Sequence, residues 1–498
     1  MIQGIRFFQQ RFLSYIRIYQ ASLIGLAFFL SSCHSTLSPH HTSSALHSSE
    51  RSKQHAENNA YDTLGARQHP RILKIYGGAY KNPKLEKMLA KIVHKLTSAS
   101  KNFHQTYYVT TLDSESVNAF ALPGGYIYVT RGMLALANDS SEVAAVLAHE
   151  IAHIIANHGI LRLQKKAELK LKNRNDTNIL SPSSTNYQDT IKNEKQLAQF
   201  SRNQELQADS IAIELLNRAG YDPFASPRFL QSLEAYNAFC NSSSDTNTSL
   251  DFLATHPTTP ERIHLAIKKA LKISKPNTGM RDRDGFLNSI DGTIFGGSSD
   301  KGYIRENQFI HPKLGISFSF PNGFKITNSS DAVLASNPDK IAIRFDAVPF
   351  SSNISVSDYL KSGWISGLDE SSVHPIMIQG LYGAHAHAFN EQWQFNVVVI
   401  LFNNHAFRFL TAAPHNSPNF EAVAKSTVQS FRPLSSLQLS RLKPLRIHVI
   451  RIKKAESVAN LSNKMQGTAH KEKLFRIINA LPPNQTLHAG TRIKIISQ

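Results

Sequence analysis

The sequence contains little cysteine and tryptophan, and it has no long apolar run beyond its N-terminus. There are 2 cysteines and 2 tryptophans among 498 residues. Cys33 closes a signal-like N-terminus, and if it is lipidated, no disulfide within the chain is possible, so Cys240 is a small packing residue or a thiol outside any disulfide. No cysteine spacing typical of a zinc finger is present. No stretch after residue 30 is long and apolar enough to predict a membrane-spanning helix.

Acidic residues are the minority among the charged side chains. The chain has 55 lysines and arginines against 36 aspartates and glutamates, a formal net charge of +19 and a pI of about 9.7. Such a balance favours anionic partners, namely nucleic acid, acidic lipid head groups or cell-wall polymers. Because no nucleic-acid motif accompanies the charge, we favour an envelope surface and expect no nucleic-acid partner. The length of 498 residues predicts more than one domain.

The N-terminus has the features of a secretion signal. Three arginines precede a short apolar run over residues 21–30, and small residues follow up to Cys33. The sequence L-S-S-C at this point resembles a bacterial lipobox, which implies that residues 1–33 are a lipoprotein signal peptide and that Cys33 is lipidated. His34 stands where an aspartate would imply retention in the inner membrane, so the resemblance implies anchoring to the outer membrane. The alternative is a plain signal peptide with a chance cysteine.

The rest of the chain divides into segments of different composition. Residues 34–72 are rich in serine, histidine and threonine, which predicts a disordered tether. Residues 73–275 have a mostly helical pattern with a strand region at 106–130, and we expect them to form one domain. Within that domain residues 163–193 are polar and charged, which favours an insertion or a mobile lid over core. Residues 276–303 combine glycine, serine and charge, and predict a linker.

Residues 304–435 change to alternating or continuous apolar segments rich in β-branched and aromatic side chains. This pattern, with helix-like stretches between the segments, predicts an α+β domain with an antiparallel sheet and no evident role. His385 and His387 are two residues apart, so on a strand they share a face. They could bind a metal weakly, but no third ligand is evident, and we expect an exposed histidine pair.

Residues 445–497 predict a last small module, in which two strands enclose two helices. The β-α-α-β order and the closing L-x-x-G-T-R-I-K-I resemble a LysM module, a family that binds N-acetylglucosamine-containing glycans such as peptidoglycan. The Gly-Asp pair that usually follows the first strand of that family is Ala455-Glu456 here. The alternative is a small packing module without a ligand.

One mostly apolar helix is predicted over residues 139–159. Asp139 is suited to the N-cap position, with Glu142 three residues later as in a capping box. Gly159 provides a C-terminal stop signal. The helix is long enough to cross the core of a domain, so its polar residues need an explanation.

Those polar residues include the pattern H-E-x-x-H. His149 and His153 are spaced i and i+4, so they project from one face and can converge on one metal ion. Glu150 points beside that face, where it can take a proton from a metal-bound water. His158 is five residues beyond His153, so on a continuous helix it points away from the pair. The alternative is a buried helix with incidental polar residues, but burying them unpaired would be costly.

A third ligand has to come from another part of the chain, because the spacing after His153 lacks a further histidine at a metzincin position. The best candidate is Glu205 in a second predicted helix, with Asp209 at i+4 on the same face. Glu205 can complete a His-His-Glu set, and Asp209 can accept the N–H of a ligand histidine. The alternative is a solvated acidic helix face.

Four segments carry a resemblance to a known family. They are N-A-F-A-L-P-G-G-Y-I-Y-V-T-R-G (118–132), H-E-I-A-H (149–153), E-L-Q-A-D (205–209) and T-H-P-T-T-P-E-R-I (255–263). In this order they resemble HtpX-like and CaaX-prenyl-protease-like zinc metallopeptidases, most closely the soluble periplasmic ones linked to outer-membrane protein quality control. The resemblance covers residues 73–275 and implies a mainly α-helical zincin-type protease domain with a small sheet.

The same resemblance implies a set of roles. One zinc ion per chain is bound by His149, His153 and Glu205, with Glu150 as general base, and the substrates are unfolded or misassembled envelope proteins. A loop carries His256, and the helix that follows it carries Arg262. Near an open zinc, a loop histidine either donates to the reaction intermediate or occupies the fourth position and holds the enzyme inactive. The alternative for His256 is a surface loop position.

The sequence therefore predicts a multidomain chain and three functions of different kinds. The main hypothesis is a lipid-anchored periplasmic zinc endopeptidase that acts on proteins. A second hypothesis, suggested by the LysM-like module, is an endopeptidase of peptidoglycan cross-links. A third is a non-enzymatic chaperone or scaffold of the envelope. The strand region at 118–130 could pair with an extended substrate or form a purely structural hairpin.

Overall fold

The structure is a computed structural model that describes residues 65–100, 105–175, 185–242, 251–329, 332–350, 353–454, 456–482, 485 and 487–498. The predicted signal peptide, Cys33 and the first part of the tether lie outside the described residues. The tether prediction is wrong for residues 65–72, because residues 65–75 form a helix, α1. The helix packs on the small sheet of the next domain, where Nδ1 of His69 lies 2.8 Å from the Tyr128 hydroxyl.

The first domain is mainly helical. Its helices are α2 Pro83–Ala99, α3 Arg131–Leu136, α4 Ser140–Ile155, α5 His158–Asn175, α6 Thr185–Arg218, α7 Ala225–Ser242, α8 Asp251–Thr255, α9 Pro260–Ile273 and α10 Arg283–Ile290. Helix α4 is buried along almost its whole length and packs against α2, α6, α7 and the small sheet. The polar segment predicted at 163–193 contributes the end of α5 and the start of α6 where it is described.

A three-stranded sheet flanks α4. Its strands are β1 Tyr108–Leu112, β2 Ala119–Leu122 and β3 Tyr126–Thr130, in the order β1-β3-β2. Strand β3 pairs parallel with β1 and antiparallel with β2, so β2 is an edge strand next to α4. Gly124 and Gly125 have φ of 83° and 82°, a conformation that glycine adopts without strain, and they make the tight turn between β2 and β3.

None of the described helices is by itself long and apolar enough to cross a membrane. Helix α4 and the start of α5 are long and apolar enough only when taken together, and the bend between them is 59°.

The prediction that residues 276–303 form a linker is wrong. It contains α10 and the short strand β4 Ile294–Phe295. The reason is burial: Phe286, Leu287 and Ile290 on α10 are fully buried in the core of the first domain.

The next region is rich in antiparallel sheet. Its elements are β5 Tyr303–Arg305, β6 Gln308–His311, β7 Ile316–Ser319, β8 Lys325–Asn328, β9 Val333–Ser336, β10 Ala342–Pro349, α11 Val356–Lys361, a 3₁₀ helix Glu370–Ser372, β11 His374–Ile378, β12 Leu381–Phe389, β13 Trp393–Phe402, β14 His405–Pro414, α12 Phe420–Gln429, β15 Arg432–Pro433 and α13 Ser436–Arg441. A seven-stranded sheet has the order β11-β12-β13-β14-β10-β9-β8, and a four-stranded sheet has the order β15-β7-β6-β5. A phenylalanine-rich core lies between the two sheets, and α11 covers the opposite face of the larger one.

The C-terminal segment has the predicted β-α-α-β order. Its elements are β16 Leu445–Arg451, α14 Val458–Ser462, α15 Lys471–Ile478 and β17 Arg492–Ser497. Strand β16 pairs with β17 on one side and with β4 on the other. The apolar residues of this segment belong to the same core as those of the first domain. The segment is therefore packed against the helical domain and is not a separate domain.

Candidate metal centre

Helix α4 begins at the cap that the sequence predicts. The Asp139 side chain accepts the N–H of Glu142, and the Glu142 carboxylate accepts the N–H of Asn138 at 2.8 Å. Both carboxylates are buried, and Arg228 lies within 3.5 Å of each of them. These contacts satisfy N–H groups at the helix start and fix the helix that carries H-E-x-x-H.

The end of α4 differs from the prediction. The helix stops at Ile155, and α5 begins at His158 with its axis bent by 59°. The turn is made by Asn157, which has φ of 53°, in the left-handed region that asparagine tolerates better than most residues. The prediction of one helix ending at Gly159 is therefore wrong. As a result, His158 does not continue around α4 but turns back towards His153.

Four side chains from three separate elements converge near the middle of α4. His149 and His153 come from α4, Glu205 from α6, and His256 from the loop before α9. Nε2 of His153 is 3.0 Å from Nε2 of His149, and Nδ1 of His256 is 3.3 Å from the same atom. Among the described residues, these four are the histidine, cysteine, aspartate and glutamate side chains that place three or more possible metal-ligand atoms within 4.8 Å of one another.

Glu205 closes the arrangement. One carboxylate oxygen lies 3.3 Å from Nε2 of His149, and the other lies 3.4 Å from Nε2 of His153. Nδ1 of His256 is 3.0 and 3.1 Å from the two oxygens. Donors bound tetrahedrally to zinc at about 2.0–2.2 Å are roughly 3.3–3.6 Å from one another. The observed separations of 3.0–3.4 Å are close to those edges, so the donor set fits a tetrahedral ion of this kind.

Charge in the cluster also favours a cation. Burial alone would raise the pKa of Glu205, but the neighbouring His256 and His149 hold it well below its usual value. Burial would lower the pKa of His149, but hydrogen bonding with Asp209 and Glu205 raises it to about 9. Burial and the nearby His149 lower the pKa of His153. The two carboxylates therefore favour a positive charge at this point of the site, which a bound cation would supply with His149 neutral, and burial already favours the neutral form of His153 that a metal ligand requires.

Asp209 and Arg262 form a second layer around the cluster. Oδ1 of Asp209 is 3.0 Å from Nδ1 of His149, the ring nitrogen that faces away from the cluster. Arg262 binds both oxygens of Asp209, at 2.5 and 2.9 Å, and it lies 3.1 Å from Glu205. Burial opposes ionisation of Asp209, but Arg262 holds its pKa below the usual value. Arg262 is placed by the start of α9, where the Thr259 side chain accepts its N–H.

Glu150 lies beside the cluster and does not join it. Its side chain is 2% exposed, and Oε1 has no hydrogen-bond partner among the described residues. The nearest cationic candidate is Nε2 of His256, 3.8 Å from Oε1. Burial raises the pKa of the Glu150 carboxyl above its usual value. A buried carboxyl with raised pKa and one free oxygen is well suited to accept and return a proton.

The structure brings together all the site residues that the sequence predicts in the first domain, and it adds others. His158 and Gln207 form a hydrogen-bonded chain behind His153, and Phe252 stacks on His256 with ring centroids 4.5 Å apart. No spacing rule connects these residues, because their contacts depend on the turn at Asn157 and on a loop.

The histidine pair on β12 has a different environment. His374 on β11 lies next to His385, with ring centroids 4.9 Å apart, and His385 and His387 are 4.6 Å apart. The ligand atoms of these three do not converge as those around His149 do. Burial and the two neighbouring histidines lower the pKa of His385 to about 4.

Comparison with known proteins covers the first domain. Residues 81–270 match the family model described as Peptidase family M48. The Beta-barrel assembly-enhancing protease of Yersinia pestis is 26% identical over 212 residues, which cover 41% of this chain and 42% of that protein. The Mitochondrial metalloendopeptidase OMA1 of Arabidopsis thaliana is 29% identical over 188 residues, 36% of either chain. The Beta-barrel assembly-enhancing protease of Escherichia coli is 26% identical over 161 residues, 30% of this chain and 33% of that protein. The chain thus matches less than half the length of these relatives.

Proposed function

Since residues 81–270 match the model of Peptidase family M48, we propose that they form a peptidase domain and that the chain is a zinc-dependent endopeptidase of the bacterial cell envelope. Its substrates are unfolded or misassembled periplasmic and outer-membrane proteins. Two of the similar proteins are named for enhancing β-barrel assembly, which supports this substrate class. The basic composition, with a formal net charge of +19, is consistent with an envelope surface.

The observation that carries the proposal is the convergence of three imidazoles and one carboxylate at 3.0–3.4 Å inside a buried site. His149, His153 and Glu205 would hold one zinc ion. Two histidines and one glutamate are a ligand set that catalytic zinc sites use. A bound zinc ion would polarise a peptide carbonyl and lower the pKa of a bound water.

Glu150 performs the proton transfers. Its unpartnered Oε1 takes a proton from the attacking water and then returns it to the amine that leaves. Burial keeps the carboxyl away from bulk water, and the raised pKa brings its proton affinity closer to that of the groups it serves. Glu150 therefore acts on protons, and Arg262 and Asp209 keep the ligand set in place.

His256 controls access to the site. Its Nδ1 fills the fourth corner of the cluster, next to Glu205 and His149. A water or a substrate carbonyl has to take that corner, so His256 has to move before hydrolysis begins. We infer that this position of His256 belongs to a resting form, which the stacking of His256 on Phe252 and the hydrogen bond from the backbone N–H of His256 to the carbonyl of Phe252 support.

Strand β2 binds the substrate. It is one of the two edge strands of its sheet, and it packs directly against α4. An extended peptide can add to this edge by backbone hydrogen bonds, independently of its side chains. Such pairing suits unfolded proteins, because they offer extended backbone of many different sequences.

The envelope location includes two further parts. Lipidation of Cys33 anchors the chain to the outer membrane on its periplasmic side. The β-α-α-β segment at 445–497 resembles a glycan-binding module, and peptidoglycan is its expected ligand. Its close packing against the peptidase core keeps the catalytic site near the cell wall whenever the module is bound.

The proposal can be tested by incubating purified full-length protein, loaded with one equivalent of zinc, with casein and with peptidoglycan, and measuring cleavage of each. We expect casein cleavage that a chelator stops and added zinc restores. The Glu150→Gln variant should bind zinc and cut nothing, whereas Glu214→Gln, at an exposed position on α6, should cut like the wild type. The His256→Ala variant should cut casein faster, and its unchanged activity and metal geometry would contradict the role of His256.

The other outcomes separate the rival functions. Release of cross-linked peptides from peptidoglycan without casein cleavage, including with His256→Ala, would replace the proposal by a cell-wall endopeptidase. Zinc binding without hydrolysis of either substrate would replace it by a chaperone or scaffold. Failure of the wild-type chain to bind zinc would refute the metal site itself.

A further inference from the structure

We propose that His158 is a positioning residue, which fixes the tautomer and orientation of the ligand His153 through a hydrogen-bond relay from Gln207. The relay consists of Gln207 on α6, His158 at the start of α5 and His153 on α4. The inference rests on the proposed function in one respect, namely that Nε2 of His153 is a metal ligand.

The geometry of the relay is continuous. Nε2 of His158 lies 3.1 Å from Oε1 of Gln207, and Nδ1 of His158 lies 2.9 Å from Nδ1 of His153. The other nitrogen of His153, Nε2, faces the cluster and is 3.0 Å from Nε2 of His149. His158 is 3% exposed, so its ring is shielded from water, whereas Gln207 lies on the exposed side of α6.

Proton positions follow from the end of the relay. A neutral imidazole has one N–H donor and one acceptor nitrogen. The amide oxygen of Gln207 can only accept, so Nε2 of His158 donates and Nδ1 of His158 is the acceptor. Nδ1 of His153 therefore carries the proton and donates it to His158. Nε2 of His153 is left with a free lone pair, which is the form that binds a metal ion.

The backbone places His158 for this contact. The left-handed turn at Asn157 separates α5 from α4 and swings His158 back over the last turn of α4. The side-chain amide of Gln204 donates to the carbonyl of His158 at 3.0 Å and holds the first turn of α5. Gln204, Glu205 and Gln207 are on the same helix, so one element supplies both the metal ligand and the end of the relay.

The two ligand histidines on α4 are thus held by different kinds of partner. Asp209, a carboxylate, lies 3.0 Å from Nδ1 of His149, whereas a neutral histidine accepts from His153. Outer hydrogen-bond partners of this kind orient the ring and set the basicity of a ligand. A neutral acceptor fixes the tautomer of His153 without adding a further negative charge to a site that already contains Glu205 and Asp209.

Two substitutions in the full-length chain test the relay. The His158→Phe variant keeps a ring but removes the acceptor, whereas His158→Asn keeps an acceptor oxygen near the position of Nδ1. We expect His158→Phe to bind zinc about 10–100-fold more weakly than the wild type in competition with a chromogenic chelator. The His158→Asn variant should recover most of that loss.

A second readout requires no metal. Nitrogen-15 NMR of histidine-labelled, metal-free protein reports which ring nitrogen of His153 is protonated, with the resonance assigned by its loss in His153→Gln. We expect the proton on Nδ1 in the wild type and in His158→Asn, and a shift towards Nε2 in His158→Phe. This measurement on the wild type decides the proton position even where the phenylalanine variant does not fold.

Several results would overturn the relay. They are a wild-type His153 protonated on Nε2, equal zinc affinities of the wild type and His158→Phe, or equal losses in His158→Phe and His158→Asn. If the wild-type chain binds no zinc, the proposed function fails, whereas the tautomer of His153 in metal-free protein still decides the relay.

Discussion

Lys494 offers a quantitative test of how the C-terminal segment joins the first domain. Its side chain, on β17, is fully buried, and its Nζ donates to the carbonyls of Ala135 and Ala137 just before α4. Burial lowers its pKa to about 7, and the charge of Arg283 adds to this effect. The lysine is thus a buried contact between the C-terminal segment and the residues just before α4.

The perturbation is Lys494→Met, which keeps most of the length of the side chain and removes the charge. Loss of two hydrogen bonds changes stability by an amount that does not depend on pH. The titration does depend on pH: the lysine pKa is about 7 in the folded chain and about 10.4 in the unfolded chain. Below pH 7 both states are protonated, so the folded state bears the full penalty of the buried charge. Between pH 7 and 10.4 folding releases a proton, and wild-type stability rises relative to the variant.

The magnitude follows from the size of the pKa shift. Each pH unit inside the window contributes up to about 1.4 kcal/mol, so between pH 7 and 9 the free energy of unfolding should shift by about 2–3 kcal/mol in favour of the wild type. The titration of Glu142 also increases the stability of the wild type relative to the variant as the pH rises. Burial and Asp139 raise its pKa to about 7, and Lys494 opposes that rise, so the variant loses stability over a wider alkaline range.

Urea unfolding of metal-free wild type and Lys494→Met at half-unit pH steps measures this difference directly. Using the difference removes the contributions of groups that titrate alike in both proteins. Leu271→Met, at an exposed position on α9, serves as a control that should show no pH-dependent difference. A flat difference between pH 7 and 9, or one that falls with pH, would refute the burial of a charged Lys494 against the start of α4.

Three further predictions concern the metal centre and its surroundings. Asn157→Val should destabilise the chain by about 1–3 kcal/mol and weaken zinc binding, because a β-branched residue is strained in the left-handed region; Asn157→Gly should stay near wild type in thermal unfolding and chelator competition. Arg262→Met should destabilise metal-free protein by about 3–5 kcal/mol in urea, because it leaves the buried Asp209 carboxylate without its partner; a change below 1 kcal/mol would contradict this. His385→Ala with His387→Ala should bind the same one zinc per chain as the wild type by elemental analysis, and a stoichiometry below that of the wild type would show that the pair binds metal.

The sequence predicts those parts of the site that depend on local geometry. His149 and His153 share a face because four residues make about one helical turn. The Asp139 cap and the start of α9 at Thr259-Pro260 follow from side-chain chemistry next to the backbone. In each case the structure-determining interaction lies within a few residues of the motif.

Features that depend on distant contacts were predicted less well. Residues 65–72 are helical because they pack on a sheet, although their composition resembles that of a tether. Residues 276–303 were expected to be a linker, since turn residues lie on both sides of α10, whereas the apolar face of α10 is buried against α2, α4 and the strands of the C-terminal segment. The bend at Asn157 had a local signal in an asparagine near a helix end, but the apolar pattern around it favoured one continuous helix.

Helix α6 accounts for the convergence of residues so far apart in the chain. Glu205 and Asp209 are four residues apart, so they face α4 and α9 together, and both receive hydrogen bonds or ion pairs from Arg262. Gln204 and Gln207 are three apart, so they form the neighbouring stripe that faces the start of α5. A rotation of α6 by one residue, about 100°, would break both sets at once. The orientation of this helix therefore determines whether Glu205 reaches the cluster, Asp209 reaches His149 and Gln207 reaches His158, and the proposed chemistry of the site depends on the packing of α6 on α4.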